Sequence, residues 1–266
     1  MSTMDTIKNI KEQYKDDKNL SMRSKLHAKY STNKQGFFPW LFEKYEFSSG
    51  YRVLELGCGN GIQWENRIQQ LPDDCILVLS DLSEGMVKIV WEKYSGIKKN
   101  MLAQKIDIQC IPFPDNCFDV VIANHMLYHV PDLPKALSEV KRILKNDGKF
   151  YATTNGNGGM RTYLHDAFKK LNPKLNFFTK NVSFSLQNGE EILSHYFDDV
   201  QRYDFEDSLS ITETQDLMNW LKSTITIASY SEDDLNGLYD YFEAIRQNEG
   251  AINIPKEAGL FISSKI

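Results

Sequence analysis

Cysteine is scarce in this chain of 266 residues: Cys58, Cys75, Cys110 and Cys117 are the four present. None belongs to a CxxC pair, and none has a partnered histidine at ligand spacing. A disulfide framework and a metal centre are therefore not expected, and a reducing, cytoplasmic setting is the simpler expectation. Cys58 and Cys75 read as small buried hydrophobes. Excess positive charge is missing too. The formal net charge is −5, whereas broad contact with a phosphate backbone needs a basic face. Nucleic acid is not an expected partner, although a local basic patch stays open. No apolar run approaches the roughly 20 residues of a membrane span. The first residues are polar and charged, without the apolar segment of a secretory leader.

What is present is a hydrophobic content of 41%, enough for a proper core, and an alternation of strand and helix patterns. Strands are predicted at 51–56, 75–80, 102–106, 118–123 and 148–154. Helices are predicted from Ile62 to about Leu71, from the N-cap Ser83 to about Tyr94, and from Pro131 to Leu144. Repeated strand–helix units imply a parallel sheet wound on both faces. The aromatic patch Phe37–Phe42, with Pro39 in a first helical turn, predicts a short helix packed near the sheet. Beyond Asn155 the pattern changes. Gly156-Asn157-Gly158-Gly159 reads as a flexible, hinge-like run. Helix-like segments follow at 160–171 and 188–196, split by Pro173. A strand at 197–205, helices at about 212–228 and 231–247, and a last strand at 258–266 complete the chain.

The most informative stretch is Val53-Leu54-Glu55-Leu56-Gly57-Cys58-Gly59-Asn60-Gly61. A strand ends in an acid, then three glycines alternate before a helix-like segment. Glycines let the backbone turn sharply and let a ligand approach with no Cβ in the way. The dinucleotide fingerprint needs its third glycine at the position held here by Ile62. Pyrophosphate binding, and with it a nicotinamide oxidoreductase, is therefore disfavoured. Asp81 stands at the carboxyl end of the second strand, where an acid can accept hydrogen bonds from ribose hydroxyls. Asp107 ends the third strand, and Asn124 ends the fourth.

The order acid-x-Gly-x-Gly-x-Gly resembles motif I of the class I S-adenosylmethionine (SAM) methyltransferases. Ile111-Pro112-Phe113-Pro114-Asp115-Asn116-Cys117-Phe118-Asp119 resembles that family's segment "LPFPDNSFD". The likeness covers about residues 50–155 and is similar to the small-molecule branch that includes ubiquinone/menaquinone and sugar N-methyltransferases. It implies an α/β, Rossmann-like, doubly wound sheet of seven strands, mostly parallel with the last antiparallel, carrying a helical cap built from insertions. It implies SAM as cofactor. Gly57, Cys58, Gly59 and Gly61 would hold the methionine carboxylate, with Glu55 facing the amino group. Asp81 would take the ribose, Leu82 and Met86 would pack on adenine, and Asp107 with the Ile108 amide would read the base. Asn124 and His125 would face the reacting methyl.

The implied organisation is an N-terminal helical lid at 1–46, a SAM-binding core at 47–156, a cap insertion at 157–196, a core strand at 197–206, a second helical cap at 207–252 and a final core strand at 253–266. For catalysis, Ala123–Val130 resembles the phosphoethanolamine methyltransferases, where a histidine works with a lid tyrosine. His129 and Tyr30 are the matching residues here, with His125 standing where those enzymes carry an acid. Arg23, His27 and Tyr30 share one helical face. Tyr163, His165, Phe168, Phe177, Phe178, Trp220 and Tyr230 are candidates to line an acceptor pocket, or to be core. The expected activity is methyl transfer from SAM to N or O of a small molecule. A protein or RNA methyltransferase and a non-catalytic SAM-binding module are the alternatives.

Overall fold

The computed structural model describes residues 18–171, 182–224 and 230–265. The expectations for 1–17, for Pro173, Phe177 and Phe178, for the helical run past Thr224 and for Ile266 lie outside these residues. The strands are β1 (Arg52–Leu56), β2 (Ile76–Asp81), β3 (Met101–Lys105), β4 (Phe118–Asn124), β5 (Leu144–Asn155), β6 (Asp199–Ile211) and β7 (Ile252–Ser264). The helices are α1 (Lys18–Tyr30), α2 (Phe37–Phe42), α3 (Glu84–Tyr94), α4 (Leu133–Ile143), α5 (Gly159–Leu171), α6 (Gly189–Ser194), α7 (Thr214–Lys222) and α8 (Glu232–Glu249).

One seven-stranded sheet runs in the order β3-β2-β1-β4-β5-β7-β6. Strands β1 to β5 pair in parallel, and β7 is antiparallel to both β5 and β6. This is the doubly wound arrangement with an antiparallel last strand. A central parallel strand must be covered on both faces, and Val53, Leu54, Val120, Val121, Ile122 and Ala123 are all buried. One face packs on α4 through Ala136, Leu137, Val140 and Ile143. The other packs on α2 and α3 through Trp40, Leu41, Val90 and Tyr94. The caps are those that the side chains favour. Ser83 accepts from the Met86 amide, Asp132 accepts from the Lys135 amide, and Ser231 forms a capping box with Asp234. Each such cap contributes about 1 kcal/mol.

Three expectations are corrected. The segment after the glycine loop is not an α-helix. It forms two short 3-10 turns, Ile62–Trp64 and Ile68–Gln70, because Asn66 adopts φ 59° between them and a left-handed residue breaks an α-helix. The glycine run at 156–159 is not a loose hinge. It wraps Glu257: the Gly156 amide donates to the Glu257 carbonyl at 3.0 Å and the Gly158 amide to its carboxylate at 3.0 Å. A Cβ on Gly159 would stand 2.7 Å from the Glu257 backbone nitrogen, so close approach is why glycine is there.

The third correction concerns the cap. β6 and β7 do not stop at the core boundary. They pair continuously from Asp199↔Ser264 to Ile211↔Ile252. The polar run Glu206-Asp207-Ser208 breaks the apolar alternation and hides this extension, because Asp207 pairs with Lys256 across the ladder. Leu209, Ile211, Ile252 and Ile254 then form the floor of a separate apolar cluster with Leu26 and Tyr30 of α1, Leu164 and Phe168 of α5, Leu217 and Leu221 of α7, and Leu238 and Phe242 of α8. Tyr163, Phe168, Trp220 and Tyr230 belong to this cluster or pack against it. Residues 31–33 close the lid on the β6 edge by a bridge from Ser31 to Leu209 and a 2.9 Å bond from the Thr32 amide to the Ser208 carbonyl. Among the described residues, no helix is long and apolar enough to cross a membrane.

Candidate functional site

The carboxyl ends of β3, β2, β1 and β4 lie side by side in the sheet, and Asp107, Asp81, Glu55 with the glycine loop, and Asn124 with His125 stand at or just beyond them. Gly57, Gly59 and Gly61 all take positive φ, at 69°, 54° and 71°. The loop is tied down at each step. The Cys58 amide donates to the Ser80 carbonyl at 2.8 Å, and the Gly59 amide to Asp81 Oδ2 at 3.0 Å. From α3, the Tyr94 hydroxyl donates to the Gly61 carbonyl at 2.7 Å and Lys93 Nζ to the Asn60 carbonyl at 3.0 Å. The loop is closed on itself as well, the Gly61 amide donating to the Cys58 carbonyl at 3.0 Å.

Glu55 is buried at the end of β1 and accepts from Trp64 Nε1 at 2.6 Å. Burial lifts its carboxyl to about 7, against the lowering effect of Trp64 and Gln63. A cation arriving beside it would restore full ionisation. Asp81 accepts from the Gly59 and Ser83 amides, the second at 2.8 Å. Burial raises its pKa despite those amides. Two amide donors leave a carboxylate with acceptor capacity for a ribose diol. Leu82 is half-buried, whereas Met86 is fully buried at the first turn of α3, so of this pair Leu82 is the one with surface to offer. Asp107 is held by Gln109, whose side-chain amide reaches both carboxylate oxygens at 3.0 and 3.3 Å. Ile108 is buried beside it.

The β4 exit touches the glycine loop. A Cβ on Gly57 would stand 2.9 Å from Met126 Cβ, so the glycine loop and the β4 exit are in van der Waals contact. Asn124 Nδ2 donates to the Tyr45 hydroxyl at 2.9 Å and also to Gln63 Oε1. His125 sits at φ 50°, a region sparsely used by residues with a side chain. It is fixed there by its amide on the Thr153 carbonyl and hydroxyl, both at 3.1 Å, and by its ring 5.2 Å from that of Phe37. Burial, then the charge of Lys256, lower its pKa to about 4.

His129 ends the 3-10 turn Leu127–His129, with its ring 4.5 Å from that of Tyr128. Burial, then Arg23, lower its pKa to about 4. Tyr30 is buried in the lid, but its hydroxyl donates to Asp216 Oδ2 at 2.7 Å, on the same carboxylate that takes Lys29 at 2.8 Å. Three residues at this edge were not among the candidates: Gln63, Tyr45 and Gln109. Trp64 also went unnoticed, although an indole N–H beside an acidic strand end is a signal that a buried acid will need a donor.

The residues fit an adenosyl sulfonium. A buried acid whose ionisation awaits a cation, a diol acceptor and a buried Gln63 Nε2 without a hydrogen-bond partner supply acceptors for an ammonium and a ribose and a donor for a carboxylate. Comparison with known proteins agrees. Residues 54–152 match the family model described as a methyltransferase domain. It is 33% identical over 107 residues to a demethylmenaquinone methyltransferase of Symbiobacterium thermophilum, covering 39% of this chain and 42% of that protein. The chain thus matches less than half the length of such relatives. In fold it is similar to the YcgJ protein of Bacillus subtilis, with TM-score 0.57, 20% identity, and coverage of 86% of this chain and 97% of that one. It is also similar to a Haemonchus contortus phosphoethanolamine N-methyltransferase crystallised with phosphomonomethylethanolamine and S-adenosylhomocysteine. That likeness has TM-score 0.52 and 21% identity, over 85% of this chain and 51% of that one.

Proposed function

We propose that this protein transfers the methyl group of SAM to a small-molecule acceptor held between the β4 exit and the lid. The observation that carries the proposal is the contact of the glycine loop with both Asp81 and the Asn124–Met126 turn, which supports a single cradle along the strand ends. Bound there, SAM supplies an electrophilic methyl group on a sulfonium. The chain's contribution is to bind, align and exclude water, and alignment alone reaches about 7–11 kcal/mol in good cases. Glu55 and the loop amides hold the amino-acid tail, Asp81 the ribose, and Asp107 with Ile108 the base. Gln63 and Tyr45 keep Asn124 in place. His129, neutral at working pH, is the candidate to accept a proton where the acceptor must lose one.

The acceptor atom is N or O in this reading. The likeness to a quinone-pathway enzyme favours carbon as the second possibility. The test is calorimetric titration of the protein with S-adenosylhomocysteine, followed by incubation with methyl-labelled SAM and metabolite extracts. Saturable binding that is lost in Asp81→Ala, together with label in a low-molecular-weight product, is the expected result. A folded protein that ignores the nucleoside would defeat the proposal.

A further inference from the structure

The acid beyond β3 is held by one side chain that also grips the next part of the site. Asp107 opens a tight turn. The Cys110 amide donates to the Asp107 carbonyl at 2.9 Å, and the Gln109 amide to Asp107 Oδ1 at 2.9 Å. An aspartate that accepts from the backbone two residues on is a common turn device. The Gln109 side chain goes further. Its Nε2 folds back on the same carboxylate, 3.0 Å from Oδ1 and 3.3 Å from Oδ2. Its Oε1 accepts from the backbone amide of Asp132 at 3.2 Å. Asp132 in turn caps α4 through the Lys135 amide at 3.0 Å, and it follows closely on the Leu127–His129 turn. Gln109 is half-buried and committed at both ends of its amide. That fixes the orientation of the amide: its oxygen must face the Asp132 N–H and its nitrogen the carboxylate. On the other side of Asp107, the Ile106 amide donates to the Asp81 carbonyl at 3.1 Å, so the turn is also tied to the end of β2.

We propose that Gln109 is a positioning residue that makes the site selective for an amino-substituted purine. The inference rests on the methyltransferase reading above, in which Asp107 meets the base, and it assigns the residue through which Asp107 discriminates. A carboxylate offers about four acceptor positions. Gln109 takes two on Oδ1, by its backbone and side-chain nitrogens, and reaches Oδ2 only by the longest of the three bonds. Oδ2 is therefore the oxygen with capacity left, and it is held in one orientation. An exocyclic amine donates to it. A carbonyl oxygen at the same ring position meets it lone pair to lone pair and is rejected. Without the Gln109 side chain, one backbone amide alone would hold Oδ1. The terminal torsion of an aspartate is broad, so the carboxylate would then turn and lose its aim. The far end of the same amide steadies the head of α4. The base station and the turn that carries His129 thus share one support.

The test uses the full chain and calorimetric titration with two ligands. One is S-adenosylhomocysteine. The other is S-inosylhomocysteine, which carries a carbonyl oxygen in place of the amino group. Wild-type protein should prefer the adenosyl ligand by at least roughly thirtyfold, the scale of a hydrogen bond to a charged group. In Gln109→Met, which keeps the length and removes both polar ends, that preference should shrink at least roughly fivefold, with inosyl affinity within about twofold of wild type. Gln109→Glu keeps an acceptor for the Asp132 amide and replaces the donor by a like charge. It should lose at least as much preference. A merely structural residue would weaken both ligands together and leave their ratio unchanged, and that outcome overturns the proposal. So does tighter adenosyl binding in either variant, which would make Gln109 a competitor of the base for Asp107. Should Gln109→Met not fold, Gln109→Glu answers the same question. Wild-type protein that takes up both ligands equally also overturns the proposal. Wild-type protein that takes up neither defeats the methyltransferase reading instead, so the two failures are separable.

Discussion

The strand-end cradle and the lid bury polar groups in opposite ways. In the cradle the partners are nearer in sequence: Trp64 reaches Glu55 across 9 positions, the Gly59 amide reaches Asp81 across 22, and Asn124 reaches Tyr45 across 79. In the lid they are far apart. Tyr30 reaches Asp216 across 186 positions, Arg23 reaches Ser223 across 200, and Ser31 reaches Asp207 across 176. Local partners form with the elements that carry them. Distant partners form only once the whole chain is in place, after the loop-closure entropy has been met by other contacts. The cradle is therefore set by the sheet. Residues 18–33 are held on β6 and β7 through the Asp207 carboxylate, which takes Ser31, Asn33 and Lys256, and through the apolar cluster with Leu26 and Tyr30.

The sharpest way to break that contrast is Asp207→Asn. The Asp207 side chain is fully buried, and its partner Lys256 is nearly so. Removing one member of a buried pair leaves the other charge uncompensated, at a cost of about 4 kcal/mol. Hydrogen exchange should accelerate in 18–33 and along the outer halves of β6 and β7, while β1, β2 and β4 keep their protection. Uniform acceleration across the sheet would mean that lid and cradle are one cooperative unit.

A second test acts on the cradle alone and has the opposite sign. The Glu55 carboxyl titrates at about 7 in the folded protein and at 4.5 when unperturbed, burial being the main cause. The folded state thus holds a proton between these values that the unfolded state has released. Stability falls as pH rises through that window and stays low above it. The difference corresponds to about 3 kcal/mol. Glu55→Gln, which keeps an acceptor for Trp64, should raise the thermal midpoint of the ligand-free protein at pH 8 and leave it unchanged at pH 4. The same variant should weaken S-adenosylhomocysteine binding. Equal gains at both pH values would show that Glu55 does not titrate in this range.

The same distinction explains what could be read in advance. The five parallel strands, the Ser83 cap, the glycine loop and the acids at 55, 81 and 107 are local patterns, and each stands where its spacing placed it. The helix predicted after Gly61 failed because apolar spacing alone does not report that Asn66 turns left-handed, or that Trp64 must point its indole at Glu55. The extended β6–β7 ladder was hidden because a buried Asp207–Lys256 pair looks like a loop in either strand taken singly. His27 carried no signal beyond sharing a helical face with Arg23 and Tyr30. Gln63, Tyr45 and Gln109 are ordinary polar residues until the sheet brings them to Asn124 and Asp107.

The smallest effect is the one that separates the two regions most finely. Tyr30 is the residue that the resemblance offers as a lid tyrosine, yet its hydroxyl lies on Asp216, where Lys29 also binds and where both hold the carboxyl below its ordinary value. A hydroxyl committed to that bond holds α1 against α7 and contributes about 1 kcal/mol. Tyr30→Phe should therefore lower stability by that amount in chemical denaturation. Turnover at saturating acceptor should change less than about twofold, the scale of a bond that leaves the transition state untouched. Any rise in KM would then report a loosened lid. If instead turnover collapses while KM and stability hold, the hydroxyl must leave Asp216 when substrate binds, and the lid would take part in the chemistry that the cradle otherwise performs alone.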